Sequence, residues 1–115
     1  MSTPSEVVQR FVDNVVARNV EGVVHCFSQD AVISQNGVTT LASGRDEIGK
    51  MYERMFIAQP DTEIEVKNRI EIGTVVVDQE HAEGFQVDGV ATAWDVVFVY
   101  RVQDGFIIAI FWFTP

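Results

Sequence analysis

The sequence predicts an α+β fold in which three N-terminal helices pack on one face of a single antiparallel sheet. Apolar residues recur at helical spacing only in the first half of the chain, up to about residue 59. Two-residue alternation, interrupted by Asp-Gly turns, dominates the second half. Helices followed by a run of hairpins are the α+β order. A chain of 115 residues has the size of one domain, so we expect a single domain over residues 1–115.

The helices are predicted from their end signals. Thr3-Pro4-Ser5-Glu6 has the form of a capping box with proline at the first helical position. Asn19 caps a second helix over about residues 20–27. Ser43-Gly44-Arg45-Asp46 begins a third helix, which Gln59-Pro60 ends. The apolar residues that must face a core are Val7, Val8, Phe11, Val12, Val15 and Val16 in the first helix and Ile48, Met51, Tyr52, Met55 and Phe56 in the third.

The strands are predicted from alternation and turn residues. A short hairpin joins residues 31–35 to residues 38–41 through Asn36-Gly37, a pair that suits a type I′ turn. Longer strands follow, and a connection is expected over residues 84–89. The even-numbered residues of the first long strand are mostly apolar, and we expect them to share one face. The predicted long strands are 64–72, 75–83, 90–102 and 106–113.

The last two strands are apolar on both alternating faces. An antiparallel sheet usually leaves one face to water, so two apolar faces need two covers. The helices cover only one of them. Because an uncovered patch of isoleucine, phenylalanine and tryptophan favours aggregation, we expect a second copy of the chain to cover the other face. The sequence therefore predicts a homodimer that forms through the sheet.

Composition excludes several kinds of partner. Seventeen acidic residues against eight basic ones give a formal charge of −9, which repels phosphate backbones and anionic lipids. The longest uncharged apolar stretch, residues 106–113, is far shorter than a membrane span. No signal peptide is expected, and the single Cys26 cannot form an internal disulfide. We therefore expect a soluble cytoplasmic protein that binds neither nucleic acid nor membrane.

Six short strings occur in the order of helix, helix, hairpin, helix and long hairpins. They are EVVQRFV at 6–12, CFSQDAV at 26–32, SGRDEI at 43–48, NRI at 68–70, VVDQE at 76–80 and VQDGFI at 102–107. Together they resemble the nuclear transport factor 2-like superfamily, which includes ketosteroid isomerases, SnoaL-like polyketide cyclases, scytalone dehydratases and limonene epoxide hydrolases. The resemblance covers nearly the whole chain, and it rests on capping and turn residues rather than on a catalytic motif.

This resemblance implies a cone-shaped, curved sheet with the helices on its concave face, as in a cystatin-like α+β barrel. The first and third helices would close the concave side around a cavity for a small apolar molecule. In ketosteroid isomerases, two hydrogen-bond donors and a basic aspartate act inside that cavity. The matching positions here carry Phe11, Phe98 and, for the base, about Gln35; only the supporting Tyr52 is retained. The resemblance therefore implies that ketosteroid isomerase activity is absent.

Limonene epoxide hydrolase-like sites need an arginine between two aspartates. The corresponding strand has the sequence DQEH at residues 78–81, with no arginine. The last strand ends in FWF at residues 111–113, without an acid. The resemblance therefore implies that this mechanism also lacks its parts.

His81 is the leading candidate for proton transfer because the ordinary pKa of histidine, about 6.5, lies near neutral pH. Strand alternation places His81 on one face with Val77 and Gln79, the face that we align with the concave side. Asp78 and Glu80 then point to the opposite face. A one-residue bulge would exchange the two sets. The alternative for His81 is a place at the rim or on the surface.

These observations predict a small-molecule-binding protein of the SnoaL-like, ketosteroid isomerase-like type with an apolar pocket. As an enzyme it would be a cofactor-free isomerase, dehydratase or cyclase that uses acid-base chemistry. The alternative is a non-catalytic ligand-binding or dimerisation module. No metal-ligand spacing such as HExxH occurs, so neither a metal nor a cofactor is expected. The expected catalytic residues are His81, Gln79 and Tyr52, and the expected ligand-binding residues are Phe11, Gln35, Met55, Phe98, Tyr100 and Trp112.

Overall fold

The computed structural model describes residues 2–115, which form helices and one six-stranded sheet. The helices pack on the concave face of the sheet, which is curved and unclosed, so the predicted α+β class is confirmed. The helices are α1 (Pro4–Val16), α2 (Val20–His25) and α3 (Arg45–Ala58). The strands are β1 (Phe27–Gln35), β2 (Thr39–Ser43), β3 (Glu63–Ile72), β4 (Val75–Val87), β5 (Val90–Gln103) and β6 (Phe106–Phe113).

The strand order across the sheet is β2-β1-β6-β5-β4-β3. Neighbouring strands are antiparallel as predicted, except β1 and β6, which form a parallel pair. No tight turn joins β1 to β6, and a long connection allows either direction. In the part of the chain that the structure describes, no helix is long and apolar enough to cross a membrane.

The predicted caps of α1 and α2 are confirmed, whereas α3 begins after Gly44 without a side-chain cap. The Thr3 hydroxyl accepts from the Glu6 amide, and the Glu6 carboxylate accepts from the Thr3 amide, which completes the capping box. The side-chain oxygen of Asn19 caps α2. Helix α2 ends at His25 rather than at residue 27, because Phe27 already begins β1.

The core lies between α1, α3 and the concave face of the sheet. Each fully buried aliphatic or aromatic side chain contributes about 1.5–3 kcal/mol to folding. One side of α1 is buried from Val7 to Val15, as its apolar spacing predicts. The predicted burial of Val16 is wrong, because this last residue of the helix is 59% exposed. The buried residues of this core include Val7, Val8, Phe11, Val12, Val15, Val23, Phe27, Ile33, Ile48, Tyr52, Val76, Tyr100, Val102, Ile107 and Ile110.

Strand β4 contains a β-bulge at residues 83–84. On one side of it Ala82 pairs with Trp94, and on the other side Phe85 pairs with Thr92. Two residues of β4 therefore lie opposite one residue of β5, which shifts the register by one. The strand continues through the bulge, so the connection predicted over residues 84–89 is wrong except for its final turn.

The bulge determines which side chains of β4 face the core. Without it, pairing from the turn at Asp88-Gly89 would place odd-numbered side chains of β4 beside the inward-facing Phe98 and Tyr100. With it, the even-numbered side chains from Val76 to Ala82 face inward and are buried. The predicted inward placement of Gln79 and His81 is therefore wrong.

Strand β3 has a register change of its own after Val66. Beyond this point Arg69 faces inward, while Ile70 and Ile72 are exposed. The predicted alternation of even-numbered residues on one buried face is therefore correct only up to Val66. Both register changes bring polar side chains onto the concave face.

Replacing Gly84 by alanine should destabilise the protein more than replacing Gly89. Both glycines have positive φ, +74° and +79°, so either alanine carries left-handed strain of about 1 kcal/mol. A Cβ at position 84 would also collide with the backbone carbonyl of Asp61, whereas nothing lies within 4 Å of a Cβ at position 89. Urea unfolding should show losses of about 3 kcal/mol for Gly84→Ala and about 1 kcal/mol for Gly89→Ala. Equal losses would contradict this account of the bulge.

Candidate functional site

An ion pair is buried on the concave face of the sheet. Arg69 Nε and Nη2 donate to the two carboxylate oxygens of Asp78 at 2.7 and 2.8 Å. The side chain of Asp78 is fully buried, and that of Arg69 is 19% exposed. Arg69 Nη1 also donates to Gln9 Oε1 at 2.8 Å, which connects the pair to α1. The charge of Asp78 is therefore compensated by a bidentate partner.

Glu80 lies on the same face, two residues further along β4. It is 3% exposed, and the Tyr100 hydroxyl donates to its Oε2 at 3.1 Å. No basic side chain within residues 2–115 forms an ion pair with it. Burial, and after it the charge of Asp78, raise the pKa of Glu80 to about 7. At neutral pH this carboxyl is thus divided between its neutral and its ionised form.

Two buried tyrosines lie beside this carboxyl. Tyr52 comes from α3 and Tyr100 from β5, and both are almost completely inaccessible to solvent. Burial, and after it the charge of Glu80, raise the pKa of both phenols. The hydroxyls therefore stay protonated in the physiological range, where they act as hydrogen-bond donors.

A row of aromatic rings leads away from this group. Phe98 stacks on Tyr100 with ring centroids 5.9 Å apart, and Trp112 stacks on Phe98 at 6.0 Å. The rings are nearly parallel, with interplanar angles of 18° and 10°. Phe98 and Trp112 are only partly buried. The row therefore runs from the buried acid towards the surface.

Phe11 fills the other end of the concave side. Its ring packs edge-on against Phe27, Tyr52 and Tyr100, with centroids 5.4 to 5.8 Å apart. Phe11 is 3% exposed and belongs to the core. The interior at this end is thus packed with side chains.

Two surface clefts stand out in the described part of the chain, and both lie outside the cone. One, of about 330 Å³, surrounds the start of α3, and its lining includes Arg45. The other, of about 280 Å³, lies at the edge formed by β3 and β4, beside His81. Neither is lined by Tyr52 or Glu80. The apolar cavity expected on the concave side therefore stays a prediction.

His81 lies on the outer face of the sheet. Its Nδ1 is 2.8 Å from Asp95 Oδ1, and its Nε2 is 3.0 Å from Glu83 Oε1. These hydrogen bonds, that to Asp95 most strongly, raise the pKa of His81 because they favour the imidazolium form. The imidazole is thus engaged by two exposed carboxylates and is separated from the concave side by the sheet.

The other predicted site residues divide between the two faces. Gln79 points outward and accepts from Asn68 Nδ2 at 2.8 Å. Gln35 lies beside Trp112 at the end of β1, and Met55 packs against the core from α3. The predicted residues on the concave side are Phe11, Tyr52, Phe98, Tyr100 and Trp112, with Gln35 and Met55 partly buried beside them.

The predicted register places Asp78 and Glu80 on the outer face unless a bulge intervenes, and Arg69 is not among the predicted site residues. A usable signal was present, since the two-residue turn at Gly73-Thr74 pairs Arg69 directly with Asp78. An arginine opposite an aspartate on neighbouring strands indicates an ion pair. The DQEH string has no arginine of its own, but β3 supplies one to its first aspartate.

The model of the SnoaL-like domain matches residues 8–110 of the chain. The chain belongs to this SnoaL-like domain family, and its fold is that of the nuclear transport factor 2-like superfamily. No curated protein sequence matches it significantly.

Solved structures share the fold at low sequence identity. An uncharacterised cystatin-fold protein from Novosphingobium aromaticivorans is 21% identical, with a TM-score of 0.89 over 97% of this chain and 98% of that one. A hypothetical protein with a ketosteroid isomerase-like fold from Catenulispora acidiphila, in complex with trimethylamine, is 15% identical, with a TM-score of 0.82 over 96% and 85%. An epoxide hydrolase of the LEH-like type from M. tuberculosis is 17% identical, with a TM-score of 0.79 over 96% and 80%.

The substitution Glu80→Gln should change how stability depends on pH. The folded protein keeps a proton on Glu80 up to a pKa of about 7, whereas the ordinary value is 4.5. This contribution to stability is therefore fully present below pH 4.5 and is lost as the pH rises through 7. Between pH 4.5 and 8 the wild type should lose about 3 kcal/mol more unfolding free energy than Glu80→Gln, as measured by urea unfolding.

The matched control is Glu63→Gln, which changes an exposed glutamate of the neighbouring strand β3. Its unfolding free energy should follow the wild type across the same pH range. If the Glu80→Gln curve also runs parallel to the wild type, Glu80 is not a buried carboxyl with a raised pKa.

Proposed function

We propose that the chain binds a small apolar molecule on the concave side of its sheet and transfers a proton through Glu80, without a cofactor. The observation that carries this proposal is a buried carboxyl that has no ion-pair partner and a pKa of about 7. Such a group serves as general base when ionised and as general acid when protonated. Glu80 thus takes the role that the sequence suggested for His81.

The proposed reaction begins on a carbon next to a carbonyl group. The ionised Glu80 carboxylate takes a proton from this carbon, so that the C–H bond breaks and an O–H bond forms on Glu80. The electron pair moves to the carbonyl oxygen and gives an enolate. The neutral phenol of Tyr52 is the proposed donor to this oxygen, because a donor aimed at developing charge stabilises it most in a dry site. Where a carbon–carbon double bond adjoins this carbon, the enolate is a dienolate, and return of the proton to the far carbon of that double bond moves the double bond into conjugation and completes an isomerisation.

The proposed entrance to the ligand site lies next to Glu80. It is bordered by partly buried apolar side chains that pack against the core. Methionine has three rotatable bonds, so Met51 and Met55 of α3 can move to admit a ligand. Phe98 and Trp112 supply an aromatic wall. Apolar walls with few polar groups are the usual lining of small-molecule sites.

A non-catalytic ligand-binding or dimerisation module is the second candidate. The observation that favours it is the packed end of the concave side, where Phe11 and Phe27 occupy the space near Tyr52. A module of this kind needs no titrating carboxyl. Turnover that depends on Glu80 therefore distinguishes the two candidates.

Composition supports two further parts of the proposal. A formal charge of −9 opposes binding to nucleic acid or to anionic membranes. The proposed location is the cytoplasm, in which the buried thiol of Cys26 stays reduced.

We also propose that a second copy of the chain covers the outer face of the sheet. Val97, Phe111 and Phe113 point outward from β5 and β6 and are 38–40% exposed. Ile70 and Ile72 add exposed apolar surface on β3. A contiguous apolar patch marks an association surface, and a twofold axis pairs such a patch with itself.

Proton exchange on 2-tetralone, a two-ring ketone with acidic C–H groups, tests the catalytic proposal. In D2O the wild type should accelerate deuterium uptake at these carbons, as measured by NMR, and the rate should rise with pH through about 7 because the base is ionised Glu80. Glu80→Gln should lower the enzymatic rate by about a hundredfold or more.

The control variant Glu63→Gln, which changes an exposed side chain, should retain the wild-type rate of deuterium exchange. His81→Gln distinguishes the sequence-based assignment from the structural one. Loss of exchange in His81→Gln together with full exchange in Glu80→Gln would contradict the proposal. An absence of exchange above buffer in the wild type would favour the non-catalytic module.

The substitution Phe111→Glu should convert a dimer into a monomer, because it places a charge in the middle of the proposed apolar interface. Sedimentation equilibrium at micromolar concentrations measures the mass. Ile57→Glu on α3 is the control, since Ile57 is 76% exposed and lies away from the outer face of the sheet. A monomeric wild type, or dimers that survive Phe111→Glu, would contradict the proposed interface.

A further inference from the structure

We propose that the ligand is a flat two-ring molecule with its reacting ketone at one end and an acceptor oxygen at the other, and that Trp112 Nε1 binds this second oxygen. The inference rests on the proposed function, because it takes Glu80 as the group that meets the reacting end. It adds a specificity-determining residue and a chemical class of substrate.

The first observation is a buried donor without an acceptor. Trp112 Nε1 is inaccessible to solvent and has no hydrogen-bond partner within the described residues. Buried polar groups in folded proteins nearly always have a partner. An indole nitrogen only donates, so the missing partner must be an acceptor. A carbonyl, hydroxyl or ether oxygen of a ligand meets this requirement.

The second observation is the shape of the wall beside it. The rings of Tyr100, Phe98 and Trp112 follow one another as a nearly parallel row. Flat conjugated molecules make favourable stacked or edge contacts with such rings. A strongly puckered molecule of the same volume makes fewer of these contacts. The row therefore favours a planar ligand.

The third observation is the spacing of the two polar groups. Trp112 is on β6 and Glu80 is on β4, with β5 between them. In the strand register Trp112 lies level with Asp78, and Glu80 is two residues further along β4. Two strand spacings and two residue rises therefore separate the Cα atoms of Trp112 and Glu80 by about 12 Å. Two fused six-membered rings with an oxygen at each end, together with a hydrogen bond at one end, span a comparable distance. One molecule can thus meet Trp112 with one oxygen and present the carbon next to its ketone to Glu80.

A pair of probe compounds tests the inference. 6-Hydroxy-2-tetralone carries an oxygen at the end opposite its ketone, and 2-tetralone lacks it. For deuterium exchange, the wild type should show a KM about fivefold lower for the hydroxylated compound, the effect of one hydrogen bond. In Trp112→Phe this preference should disappear because phenylalanine has no indole N–H, and the ratio of the two KM values should fall to about one. A circular-dichroism spectrum like that of the wild type shows that the fold is intact.

Trp94→Phe is the matched control, since the other tryptophan packs against Phe85 rather than in the row with Phe98. It should keep the preference of the wild type. Equal KM values for the two compounds in the wild type, or a preference that persists in Trp112→Phe, would overturn the inference. If exchange depends on Glu80 while the preference survives in Trp112→Phe, the proposed function stands and this inference fails. If neither compound exchanges faster than in buffer, both fail.

Discussion

The register between β4 and β5 is the constraint on which the interior of this protein depends. A one-residue bulge at residues 83–84 shifts that register and turns Asp78 and Glu80 inward. Gly84 permits the bulge through its positive φ and its close approach to Asp61. Were the strand regular, Gln79 and His81 would line the concave side and both carboxylates would face solvent. The chemistry of the site thus depends on a backbone feature at some distance from it.

The two inward carboxyls differ because of their partners. Asp78 meets Arg69 in a bidentate pair, which compensates the cost of burying its charge. Glu80 has a phenol as its partner and lies near a second negative charge, so its neutral form is favoured. Two acids on one strand are therefore suited to different tasks, Asp78 to an ion pair and Glu80 to the proposed proton transfer. A buried carboxyl of this kind costs stability near neutral pH, which is typical of functional sites.

Much of the fold could be predicted from the sequence, because caps, turns and apolar spacing act locally. The Thr3 box, the Asn19 cap and the Asp88-Gly89 turn each determine a few neighbouring residues, and all were predicted correctly. The site could not be predicted in the same way. Beyond Val77 the strand is polar on both faces, so alternation does not say which set is buried. The decisive signals were Gly84 inside a strand and the charge of Arg69 opposite Asp78.

The central claim is that Glu80 is a buried carboxyl poised near neutral pH. The most direct measurement is an NMR titration of the Glu80 side-chain carboxyl carbon in 13C-labelled protein, assigned by comparison with Glu80→Gln. The account predicts a pKa of about 7 for this group. A titration near the ordinary value of 4.5 would show that Glu80 faces water, and it would contradict both the register of β4 and the proton transfer proposed for it.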